Sequence, residues 1–232
     1  MTKTPDAGLD VLYEDNHLLA VHKPAGLLSQ AGVQGDDTVV ERVREYLRAT
    51  YNKPGNVYVG LVHRLDRNVS GVMLLARTSK AASRLSDAFR RRDVDKRYLA
   101  VVEGQAPPTG QLVHHLLKTD DHGVRVVDTA RDGAQRAELH FTRLASSPRH
   151  ALLEVELITG RKHQVRAQLA AHGLPLVGDI RYGVSDRVGR PALHARTLTL
   201  THPVKKTPLA LVAPVPADLR GLLERLRLRL PS

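Results

Sequence analysis

Five consecutive positions, His63-Arg64-Leu65-Asp66-Arg67, hold two arginines, a histidine and a carboxylate, and Asn68-Val69-Ser70-Gly71 completes the segment. Asp66 has cations on both sides in sequence, and nearby positive charge favours the ionised carboxylate, which can act as nucleophile or base. A surface ion-pair cluster would use the same residue types, so these nine positions leave both readings open. A second segment, Thr159-Gly-Arg161-Lys-His163-Gln164-Val-Arg166-Ala-Gln168-Leu169, gathers four basic groups. If Gly160 turns a strand into a helix there, positions 162, 163 and 166 share a face, and the helix N-terminus suits a phosphate or a carboxylate. A solvated basic helix end, with Val165 and Leu169 facing a core, is the plainer alternative.

The elements around these segments can be read from apolar spacing. Val57 to Val62 and Val72 to Ala76 read as strands flanking the Asp66 segment, which is thereby a loop, where reactive groups tend to be displayed. Val11 to Tyr13 and His17 to Val21 read as extended chain around the turn Glu14-Asp15-Asn16, and Lys23-Pro-Ala-Gly26 turns again. Thr38-Val-Val-Glu41 has the form of a capping box that opens a helix through Leu47. A second helix begins near Ser79, with Ala82, Leu85 and Phe89 inward and Arg84, Arg90, Arg91 and Arg92 outward. Further strands are expected at Tyr98–Val102, Val124–Val127, Ala137–Leu144, Leu152–Ile158, Leu193–Leu200 and Leu209–Val212. Gly104 to Gly110, the nearest thing to a linker, fits a long loop as well as a boundary. A short helix is expected from His163 to His172, and an amphipathic one from Pro216 with Leu219, Leu222, Leu223 and Leu226 on one stripe. Roughly nine strands and three or four helices without strict alternation indicate an α+β fold.

Composition bounds the function. The 232 residues suffice for a sizeable core, and 42% hydrophobic with 25% charged residues excludes global disorder. Thirty-five Lys and Arg against 24 Asp and Glu give a net charge of +11, which favours a polyanionic partner. Aromatics are only 3%, so a broad base-stacking platform is not expected. The absence of cysteine excludes disulfides and thiol catalysis, and permits a reducing cytoplasm. Neither a membrane span nor a signal-peptide core is present in the sequence. Twelve histidines raise the question of zinc. There is no His-Glu-x-x-His, and His114-His115 has no evident third ligand, so no metal is expected. His63, His163 and His194 are read instead as hydrogen-bonding groups of the site or core. No Walker or dinucleotide glycine pattern occurs.

The segment His63-Arg-Leu-Asp66-x-x-x-Ser-Gly71 resembles the signature of the RluA family of RNA pseudouridine synthases. Four further pieces resemble that family in its own order. These are Lys23-Pro-Ala-Gly26, Lys96-Arg-Tyr98-Leu-Ala100, Gly160-Arg-x-His-Gln-Val-Arg166 with Gly178-Asp-x-x-Tyr182-Gly183, and Leu193-His194-Ala195 with His202-Pro203. The resemblance implies an α+β catalytic domain over residues 11–232 after a tail of residues 1–10, with a mixed, mainly antiparallel sheet, flanking helices and a cleft. It implies Asp66 as the catalytic aspartate, Tyr98 as the tyrosine that stacks on the base and assists proton transfer, and Arg166 as the cation that pairs with the aspartate. Arg64 would help displace the target base, and His63, Arg67, Arg161, His163 and Gln164 would join it in holding substrate. Structured ribosomal or transfer RNA is the implied partner, with no cofactor. Whether Asp66 attacks C1′, attacks C6 or deprotonates the sugar stays open.

Three positions depart from the family pattern: Val69 in place of Thr, Gln168 in place of His, and His22 in place of Asn. They flank the proposed catalytic positions without replacing them. Many relatives carry an S4 RNA-binding domain; none is expected here, which would leave target recognition to the catalytic domain. A monomer acting in the cytoplasm is expected. Two rival readings are an inactive RNA-binding or chaperone protein of the same fold, and a glycosidic-bond hydrolase using Asp66 with water. The intact Asp66, Tyr98 and Arg166 speak against the first. The lack of a paired carboxylate speaks against the second.

Overall fold

The computed structural model describes residues 8–33, 35–127, 129–183 and 189–230. Along the chain lie β1 (Asp10–Glu14), β2 (Leu18–Lys23), α1 (Val39–Thr50), β3 (Gly60–Leu61), β4 (Ser70–Ala76) and α2 (Ser79–Arg91). They are followed by β5 (Val94–Glu103), β6 (Thr109–Lys118), β7 (Val124–Val127), β8 (Gln135–Ser146), β9 (His150–Leu157) and α3 (Gln164–Ala171). β10 (Leu193–Thr201), β11 (Pro208–Val212) and α4 (Ala217–Arg225) close the chain. Two compact units result, Met1–Val94 with Thr197–Pro214, and Asp95–Arg196 with Val215–Ser232.

In the first unit β2 pairs antiparallel with both β1 and β4. Strands β2 and β4 are buried along their whole length because both faces are covered. Alternation sorts their side chains: Leu18, Ala20, Val72 and Leu74 pack with Ala81 and Leu85 of α2 and with Leu198, Leu200 and Leu211. Leu19, Val21, Met73 and Leu75 pack with Val39, Val43 and Leu47 of α1. Thr38 caps α1 by accepting from the Glu41 N–H at 3.2 Å, and Thr78 caps α2 through the Ala81 N–H at 3.2 Å. Only half of the expected capping box forms, since the Glu41 carboxylate turns to Arg44 instead. Of the run Val57 to Val62, only Gly60 and Leu61 pair, with Ala76 and Leu75. Glycine is needed there because a Cβ at position 60 would stand 2.9 Å from the Ala82 Cβ of α2.

The second unit holds an antiparallel sheet in the order β5-β9-β8-β6-β7. Tyr98 lies opposite Val155, and Val155 opposite Phe141. On β8, Phe141 shares its face with Ala137, which packs against Ala167 of α3. Tyr98 and α3 are therefore on one face of this sheet. The other face presents Leu99, Val101 and Leu152 to Leu219, Leu222 and Leu223 of α4, as the apolar stripe of the C-terminal segment predicts. Strand β6 was not expected from the sequence; it forms by pairing Thr109 through Leu116 with β8.

Candidate active site

The Asp66 segment is fixed by backbone contacts on both sides of the aspartate. The Ser29 hydroxyl donates to the Leu65 carbonyl at 2.7 Å and accepts from the Leu65 N–H at 3.1 Å. The Arg67 carbonyl accepts from the Gly26 N–H at 2.8 Å and from Lys23 Nζ at 2.9 Å, while Arg67 Nε donates to the Gly26 carbonyl at 3.0 Å. Gly26 sits at φ +90°, which lets the Lys23-Pro-Ala-Gly26 turn face Arg67 squarely. Lys23 is fully buried, and its ammonium also donates to the carbonyls of Pro24 and Leu27. A turn closed by the Val69 N–H on the Asp66 carbonyl completes the segment, with Val69 buried where the family carries Thr.

His63 anchors the entry to this segment. Its Nε2 accepts the Leu74 N–H at 2.9 Å, one residue beyond the Leu61–Leu75 pair, and its ring stacks on Phe89 with centroids 4.9 Å apart. An accepting Nε2 requires the neutral ring with its proton on Nδ1. Arg64, by contrast, is exposed and makes no hydrogen bond or ion pair among the described residues.

In the second unit Arg166 projects from α3 and is gripped by Asp179 at two points, Nε to Oδ2 at 2.7 Å and Nη2 to Oδ1 at 2.8 Å. Burial alone would push the Asp179 carboxyl up, but the Arg166 hydrogen bonds and charge, with the N–H groups of Arg181 and Tyr182, hold it below the usual carboxylate range. The guanidinium also lies over the Tyr182 ring, 5.1 Å from its centroid. Tyr182 Oη accepts from the Val124 N–H at 2.9 Å and stands 2.8 Å from His163 Nδ1. Burial pushes the Tyr182 phenol up, which keeps it neutral and able to donate to that nitrogen.

His163 is not on the helix face that the spacing predicts. It is the N-cap residue of α3 in the left-handed region at φ 51°, and Lys162 precedes the helix, so only Arg166 of that trio is on it. Gln164, expected to hold substrate, has its amide committed inside the protein. Its oxygen accepts from Thr159 Oγ1 at 2.8 Å and the Arg161 N–H at 3.0 Å, and its nitrogen donates to the Glu138 carbonyl at 3.0 Å. It braces the turn that starts α3. Arg161 lies exposed with Nε on the Arg136 carbonyl at 3.2 Å. Gln168 ties α3 to the sheet by donating to the carbonyls of Leu112 and Ala137 at 3.1 and 3.2 Å. Asp179, Tyr182, Lys23 and Ser29 were not singled out as site residues from the sequence. The motif Gly178-Asp-x-x-Tyr182-Gly183 and the Lys-Pro turn were visible, but what those side chains hold was not.

The model of the RNA pseudouridylate synthase family matches residues 17–171, more than half of the chain. The chain belongs to that family. Among its relatives, a ribosomal large subunit pseudouridine synthase D of Xanthomonas campestris is 38% identical over 96% of this chain and 70% of its own. An uncharacterized RNA pseudouridine synthase of Bacillus subtilis is 34% identical over 94% of this chain and 72% of its own. The structure of human RNA pseudouridylate synthase domain containing 4 superposes with a TM-score of 0.81 at 28% identity, covering 96% of this chain and 95% of that one. The Asp66 segment and the Arg166 segment of this chain both fall inside the matched region.

Proposed function

We propose that this chain converts uridines in structured ribosomal or transfer RNA to pseudouridine, with residues 11–232 acting as one catalytic domain. Asp66 is the catalytic carboxylate, Tyr98 the aromatic that stacks on the base and assists proton transfer, and Arg166 the cation of the reaction. The supporting observation is a carboxylate-bearing segment pinned by Ser29, Lys23 and Gly26 in a member of this family. The reaction breaks N1–C1′, turns the base, forms C5–C1′, releases the C5 proton and protonates N1, so the nucleoside is isomerised with no net oxidation. An ionised carboxylate, an oriented aromatic and a fixed cation suffice for it. The exposed Arg64 suits displacement of the base from its stack, which costs a few kcal/mol. Relatives named for the large ribosomal subunit support ribosomal RNA within that class. The proposal includes a monomer acting in the cytoplasm, which sedimentation and fractionation check.

The test is tritium release from RNA labelled at uridine C5, using RNA from a strain that lacks the gene. Wild type releases tritium and Asp66→Asn does not, while both bind RNA. Release without dependence on Asp66 removes its role. Binding without release moves the reading to an RNA-binding protein of this fold.

A further inference from the structure

Helix α2 ends in Phe89-Arg90-Arg91 and is closed by Arg92, whose backbone is left-handed at φ 66°, ψ 28°. The Arg92 N–H bonds the Phe89 carbonyl and the Asp93 N–H bonds the Ala88 carbonyl at 2.9 Å, the Schellman arrangement. Glycine suits that closing position because a Cβ is disfavoured in the left-handed region. Arg92 nonetheless occupies it, exposed, and with no hydrogen bond or ion pair from its side chain among the described residues. The helix dipole favours basic residues in the last turn and so accounts for Arg90 and Arg91, but it does not account for arginine over glycine at the cap. Arg90 pairs with Asp87 and Arg91 with Asp93, at exposed sites where such pairs are weak and readily exchanged.

This helix end lies against the candidate catalytic segment, because Phe89 stacks on His63, three positions before Asp66. Arg64 stands exposed in the same segment. We propose that the carboxyl end of α2 is a second RNA contact, in which Arg92, supported by Arg90 and Arg91, binds backbone phosphates of the strand that presents its nucleotide to Asp66. The inference takes RNA as the polyanion from the proposed function, and the net charge of +11 is of the matching sign.

The cap geometry supplies a discriminating variant, since Arg92→Gly removes the guanidinium while relieving the left-handed cap. Binding is measured by anisotropy against an unmodified transcript of large-subunit ribosomal RNA over a salt series, with Tm read in parallel. Arg92→Gly is expected to melt at or above wild type and to bind about fivefold more weakly, with a log–log salt slope shallower by about one unit. Arg92→Lys is expected to keep the slope. Arg92→Asn, which also tolerates the left-handed region, repeats the reading should glycine loosen the helix end. Wild-type affinity and slope in both Arg92→Gly and Arg92→Asn would overturn the proposal. Tritium release by wild type on the same transcript separates the two readings. Salt-sensitive binding without release removes large-subunit ribosomal RNA as the substrate and leaves the arginine contact standing, whereas no binding overturns the contact and the ribosomal reading together.

Discussion

Asp179 is wholly buried, and Arg166 supplies the charge that makes its ionisation tolerable. The two hydrogen bonds form a fork that a lysine cannot reproduce, so the pair fixes the orientation of the guanidinium as well as its charge. Asp179→Asn keeps the shape but removes the charge that the two-point fork sets against a largely buried guanidinium. Chemical denaturation is expected to show a loss of about 3 kcal/mol, the cost of breaking such a pair from one side. Turnover should fall with it, because Arg166 loses the group that aims it; a variant of wild-type stability would show the pair to be idle. Tyr98→Phe tests a different property, since it keeps the ring on β5 and removes only the hydroxyl. A large fall in rate with unchanged RNA affinity is expected if the hydroxyl moves a proton, and a wild-type rate would confine Tyr98 to stacking.

Among the elements, the Asp66 loop depends on residues distant in sequence. Ser29 meets Leu65 across 36 positions and Lys23 meets Arg67 across 44. Ser29→Ala deletes a donor and an acceptor from a buried backbone segment, and each unsatisfied group costs about 1–3 kcal/mol. The loop should become mobile while the β2–β4 pairing survives, so kcat is expected to drop more than RNA affinity. Equal losses in both would place the effect in global stability. Lys23→Met is the harsher version, because three carbonyls lose the ammonium that gathers them. His63 acts similarly at the other end of the loop, where its ring continues a strand ladder that the backbone of β3 leaves short.

For the whole molecule, charge sets the conditions under which fold and binding persist. Burial would push the Asp15 carboxyl up, yet Lys205, the N–H groups of His17 and Leu18 and the Tyr13 hydroxyl hold it well below its ordinary value. Asp179 and Asp218 are lowered as well, the latter by the Arg190 fork. A carboxyl lowered in the folded state binds fewer protons there than in the unfolded chain. Its contribution is whole above the unfolded value of about 3.9 and is lost as pH falls through the folded value. Denaturation midpoints are expected to be insensitive to these groups near neutrality and to decline below about pH 4, with Asp15→Asn flattening the decline. At the same scale, the excess of basic residues predicts RNA affinity that falls steeply between about 50 and 200 mM salt. A flat response would contradict phosphate-driven binding.

The sequence alone determined much of this protein. Continuous apolar runs at Leu18–Val21 and Val72–Ala76 marked two strands, and Thr38 marked a helix start because a hydroxyl before an apolar period has few other uses. The family also followed from sequence, since His63 to Gly71 and Gly160 to Arg166 are local patterns. Strand β6 was hidden because only Leu112 and Leu116 of it are buried, a spacing of four that does not read as alternation; pairing with β8 made it a strand. The tertiary structure alone decided which charges meet. Arg166 and Asp179 are thirteen positions apart, and their contact needs α3 to begin at Gln164 and the Gly178 turn to place a carboxylate beside it. Likewise nothing in Lys-Pro-Ala-Gly states that its lysine ends on the Arg67 carbonyl of the Asp66 loop. Local sequence fixes backbone periods and caps, whereas long-range polar contacts depend on how the elements pack.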